Sequence, residues 1–157
     1  MTTTRPPTYQ DVRGYFEEAC HLALVAAGVA KADISYDNWG ETAAPADRPY
    51  AVVALSFGNT VEDTLGCEGL ERLRGSLQVN IYTPKQKGSK PGETIALAVL
   101  KAWSTINKHG TSHAPLIHAK CRNIEGPATV APDQRPHHVN VVSCAFEAQA
   151  PKEITVP

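Results

Sequence analysis

Apolar positions recur at two different spacings along the chain, and each spacing predicts a different element. Val12, Phe16, Ala19, Cys20, Ala23 and Ala27 follow one another at three and four, which draws a single stripe down a helix. Thr8 suits the N-cap, Asp11 sits at the positive end of the helix dipole, and Gly28 suits a left-handed C-terminal cap. The pattern predicts a helix over 8–27 and a short strand at Ile34, Ser35 and Tyr36. Residues 40–48 read as a loop, and 50–57, β-branched and aromatic, as a strand. Residues 58–69 carry Gly58, Asn59, Asp63 and Gly66 and read as a long connection.

The clearest alternation covers 72–82. Leu73, Gly75, Leu77, Val79 and Ile81 take one face; Arg72, Arg74, Ser76, Gln78, Asn80 and Tyr82 take the other. One apolar and one polar face is the signature of an antiparallel strand with one side on the core. Gly75 inside it points to a bulge or a close backbone approach. Residues 83–92 form a turn-rich basic loop, and 93–108 a second helix with Ile95, Ala98, Val99, Ala102, Trp103 and Ile106 on one stripe. Residues 116–124 and 137–147 complete the strands, joined by a proline-bearing loop over 125–136, and the termini (1–7 and 149–157) read as extended. The order predicts an α+β fold, one largely antiparallel sheet with two helices packed on one face. Phe16, Leu73, Leu77, Val79, Ile81, Val99 and Trp103 are the expected core.

Composition adds limits rather than a function. A chain of 157 residues fits a single domain spanning 1–157, and 42% hydrophobic against 20% charged residues is the balance of a globular chain. The net charge of −1 supplies no global field toward nucleic acid or an acidic membrane, so any electrostatic role must be local. No secretory h-region opens the sequence and no apolar run is long enough to span a bilayer, so no membrane partner is expected.

Candidate chemistry is sparse. Cys20, Cys67, Cys121 and Cys144 form no C-x-x-C pair, and Cys20 lies on an apolar helix stripe. There is no G-x-S-x-G elbow and no Walker loop. His137 and His138 are adjacent on a strand and therefore face opposite ways, and His113 and His118 lie on other segments, so no metal site is expected. The expectation is no enzyme, no catalytic residue and no cofactor. The one local concentration of charge is Lys85, Lys87 and Lys90, a candidate partner-contact loop.

The stretch from Arg72 to Gly88, R-L-R-G-S-L-Q-V-N-I-Y-T-P-K-Q-K-G, followed by the second helix, resembles the tail terminator (tail completion) proteins of long-tailed bacteriophages. The upstream order is similar too: a helix, then Tyr36-Asp37-Asn38-Trp39, a proline-bearing loop and the strand from Pro49 to Val53. The resemblance implies a virion structural protein, assembled in the host cytoplasm, that forms a homohexameric ring on the tail. Its partners would be itself, the tail tube protein whose polymerisation it ends, and the head connector or neck protein. DNA passing through the ring is a further contact. Arg72, Arg74 and Gln78, on the polar sheet face, would lie at a subunit interface. Two other classes fit the residues less fully: a nucleic-acid-binding module using the basic loop Lys85, Lys87 and Lys90 with Arg72 and Arg74, and a small α+β enzyme using His118, His137 or Cys144.

Overall fold

The computed structural model describes residues 8–37, 47–62, 70–85, 88–109, 111–113, 116–129 and 137–151. Helix α1 (Tyr9–Ala26) leads through a turn of 3-10 helix (Lys31–Asp33) to the short strand β1 (Ile34–Ser35). Strands β2 (Tyr50–Glu62) and β3 (Leu70–Pro84) follow, then helix α2 (Lys90–His109) and strands β4 (Thr111–His113), β5 (Leu116–Thr129) and β6 (His137–Pro151). They build one six-stranded sheet in the order β1-β2-β3-β6-β5-β4. β1 pairs with β2 in parallel, and the other neighbours are antiparallel. The α+β class and the largely antiparallel sheet are as the periodicity predicts.

Local chemistry explains the elements. The Thr8 side chain accepts from the Asp11 amide while the Asp11 carboxylate accepts from the Thr8 amide at 2.8 Å, a reciprocal cap on α1. At the other end Gly28 takes φ +104°, and the amides of Gly28 and Val29 reach back to the carbonyls of Val25 and Leu24.

Both helices lie on one face of the sheet. Phe16 of α1 packs against Phe146 of β6, with ring centroids 4.7 Å apart. The Trp103 indole N–H of α2 points at the Cys20 sulfur at 3.5 Å. All seven expected core residues are buried in the same cluster. Gly75 is the close approach its sequence suggests: a Cβ there would collide with the Ser56 carbonyl oxygen and the Phe146 ring.

The structure corrects several expected boundaries. Residues 58–62 are strand, because a register shift between Phe57 and Thr60 absorbs Gly58 and Asn59 as a bulge and pairing with β3 resumes. The second helix begins at Lys90, not at Glu93. Pro91 is tolerated in the first turn, where its missing N–H would have had no helical partner. Lys90 is therefore a helical residue and not part of a loop. Residues 125–129 belong to β5, which shifts register between Arg122 and Glu125 and again between Glu125 and Ala128, the second shift absorbing Gly126 and Pro127. Residues 149–151 of the expected tail pair with β3. β4 has only three residues, too few to show a period. Residues 1–7, 40–46, 63–69, 130–136 and 152–157 of the remaining expectations lie outside the described residues.

Candidate partner-binding surface

The face of the sheet opposite the helices carries Arg72, Arg74 and Gln78 of the predicted site residues and divides into three zones. Arg72 and Arg74 stand on β3 at one end. Pairing sets Arg72 beside Gln149 of β6 and His118 of β5, and Arg74 beside Glu147 and Lys120; the next row is Ser76, Ala145 and Arg122. Three guanidinium groups thereby converge on one carboxylate. Glu147 lies 2.9 Å from Arg122, 3.7 Å from Arg74 and 4.0 Å from Arg72. Its side chain is 17% exposed, while those of Arg74 and Arg122 are 46% and 57% exposed.

The middle of this face is mixed: Val52, Ala54, Val139, Val141 and Ala145 are half-buried on the same rows as Ser56, Ser76, Asn80 and Ser143. At the far end Tyr50 and Tyr82 stack with centroids 4.4 Å apart, and His137 meets Tyr50 edge-on at 5.0 Å. Gln78 is exposed between the zones and donates to Asn80 at 2.8 Å. The structure thus brings Arg72 and Arg74 together and leaves Gln78 apart from them.

The predicted lysine loop is only partly a loop. Lys85 follows β3 and Lys90 opens α2, both exposed; Lys87 lies outside the described residues. At about 3.3 Å per strand residue, Lys85 stands roughly 35 Å along β3 from Arg74, so the lysines and the arginines are separate positive regions.

Among the described residues, side chains close each sheet edge at one residue. On β2, the Leu55 amide donates to Asp37 at 2.9 Å and the Leu55 carbonyl accepts from Arg13 at 3.1 Å. Arg13 also bonds Asp37 and Glu17. Burial works to lower the Arg13 pKa, but these two carboxylates outweigh it and raise it. On β5, Asn107 of α2 does the same work with one amide group: its Nδ2 donates to the Cys121 carbonyl at 2.8 Å, and its Oδ1 accepts from the Cys121 amide at 2.7 Å. Among the described residues, no strand pairs with β2 outside Val52 or with β5 beyond His118 on that outer edge.

A groove of about 400 Å³ opens where α2 ends beside β5, lined among others by Arg72, Lys108, Lys120, Arg122 and Glu147. The His118, Lys120, Arg122 face of β5 was legible in the sequence as an alternation. Its placement beside Glu147 and Arg74 was not, because it depends on β6 lying between β3 and β5. Two thiols are held neutral: burial raises Cys20 to about 12, and a hydrogen bond to Cys121 together with burial pushes Cys144 up. Among the described residues, no three His, Cys, Asp or Glu side chains converge as metal ligands.

The fold and this surface define an α+β single-sheet protein with one helix-covered and one open face. No protein-family model and no curated protein matches the chain. A solved structure, whose name states no function, aligns over 90% of this chain and 96% of its own length with a TM-score of 0.61 at 18% identity. At that identity the likeness shows the fold alone.

Proposed function

We propose that this chain is a structural ring subunit of a long-tailed bacteriophage, a tail terminator that closes the tail tube and joins it to the head connector. The observation that carries the reading is the pair of sheet edges. β2 and β5 lie toward opposite sides of one sheet, run 13 and 14 residues, and among the described residues are each closed by side chains at a single residue. Edges of this kind suit head-to-tail contacts between copies, and a heterologous contact closes into a ring when its rotation divides a full turn. The element order along the chain, with its strand–basic turn–helix centre, is the order on which the resemblance rests.

In this reading the half-apolar open face and Gln78 lie at or near contacts between copies. Lys85, Lys87 and Lys90 meet the tube or the connector at the end of the sheet away from the arginines. The role calls for no cofactor and no catalytic residue. Adding the purified protein to polymerising tail tube protein tests it. Tubes of reduced and uniform length, each ending in a ring in electron micrographs, support the proposal; unaltered tube growth contradicts it. Replacing the three lysines with Ser should leave ring closure intact and impair capping. A triple variant that caps normally would remove the lysines from the contact.

A further inference from the structure

The start of α2 rests on a residue that the apolar inner face of the sheet does not call for. Asn140 of β6 is 1% exposed and sits in line with Ile81 and Ala51, both fully buried. Its amide nitrogen is buried without a hydrogen-bond partner. An unpaired buried amide is costly, and an apolar side chain would avoid that penalty. What Asn140 touches is the first turn of α2. A Cβ on Gly92 would collide with Asn140 Nδ2 and would stand 3.3 Å from its Cγ and 3.5 Å from Thr83 Oγ1. Alanine is the better helix former, so glycine at this buried position serves the close fit. Thr83, 1% exposed, braces the joint from β3, where its hydroxyl donates to the His138 carbonyl at 3.4 Å.

We infer that Asn140 is a positioning residue: seated in the space that Gly92 leaves, it fixes the first turn of α2 on the sheet and so holds Lys90 where the tube or connector is proposed to dock. The inference rests on that reading of function. Asn140 is buried and meets no partner itself; it acts through Lys90, two residues ahead of Gly92 in the same turn. A fit this close admits one placement of the turn, because protein interiors pack without slack. Lys90 is exposed on that turn, so its ammonium moves with any shift of the joint.

Shortening of polymerising tail tubes by the full chain tests this, read as the concentration of added protein that halves tube length. Gly92→Ala should raise that concentration about threefold or more, as far as Lys90→Ser does, with the mass of the assembly unchanged. Gly92→Ala combined with Asn140→Ala, which removes the obstructing amide, should return most of the way to wild type. Gly92→Ala added to Lys90→Ser should cost nothing further, whereas a general loss of stability would add in full. Hydrogen exchange gives a readout that needs no partner. The Glu93 amide, bonded to the Ser89 carbonyl at 3.0 Å, should exchange faster in Gly92→Ala and recover in the swapped pair. Unchanged exchange in Gly92→Ala overturns the joint whatever the tubes do. With a wild type that caps, the inference alone is overturned if Gly92→Ala or Lys90→Ser caps normally, if the swapped pair is no better than Gly92→Ala, or if the losses of Gly92→Ala and Lys90→Ser add. A wild type that leaves tube growth unaltered defeats the reading of function, and this inference with it.

Discussion

At the scale of single residues, two glycines with the same composition have opposite roles. Gly75 faces a neighbouring backbone carbonyl and an aromatic ring, whereas a Cβ at Gly14 in α1 would meet nothing within 4 Å. Gly75→Ala should therefore destabilise the protein by about 1–3 kcal/mol, as overpacking does. Gly14→Ala should stabilise it by about 0.5–1 kcal/mol through helix propensity. Urea unfolding of both variants measures the contrast, and equal effects would contradict the packing at Gly75. Leu77, fully buried at the sheet centre, should cost about 2–5 kcal/mol as Leu77→Ala. The Cys20 and Cys144 thiols are both pushed up. Burial raises Cys20 from 9.0 to about 12, so its contribution to stability is complete below pH 9 and declines as pH rises toward 12. In the folded protein at pH 8, Cys20 and Cys144 should resist alkylation and react only on unfolding, which mass spectrometry of labelled peptides would show. Rapid labelling of native Cys20 would contradict its burial beside Trp103. The alternation of 72–82 made Gly75 and Leu77 legible as core-facing positions, since period two alone assigns the face.

At the scale of elements, capping and edge closure set the boundaries. Thr8→Ala removes the α1 cap and should cost about 0.5–2 kcal/mol, measured by thermal unfolding. Asn107→Ala strips both partners from the Cys121 backbone. Hydrogen exchange at the Cys121 amide should then accelerate while the amides of β6 keep their protection. Unchanged exchange at Cys121 would mean that Asn107 does not close that edge. The element types were legible wherever one period held over a long run, as in α1, β3 and α2. What misled was turn chemistry inside strands: Gly58-Asn59 and Gly126-Pro127 read as breaks, but the antiparallel partner lets each pass as a shift in register. The start of α2 was masked by Pro91 and Gly92, two residues that end helices elsewhere and fit a first turn here. Asn107 gave no signal at all, because an amide that substitutes for a strand looks like any polar residue near a helix end.

At the scale of the whole molecule, the candidate surface follows from strand order, which periodicity does not encode. The candidate surface exists because β6 enters between β3 and β5, so that Arg72 and Arg74 meet Glu147 and Arg122 across more than forty residues of sequence. Among the described residues, the same order leaves one face of the sheet without a helix and its two edges closed by side chains at one residue each. Among the described residues, only β1, β4 and the side chains at Leu55 and Cys121 meet those edges, and in the proposed ring each edge would gain a neighbouring copy. The mass of the purified protein in solution, by light scattering at micromolar concentration, is the most direct test. The account predicts about 101 kDa, six times the 16.9 kDa subunit, and a monomer of 16.9 kDa across the accessible concentration range would contradict it.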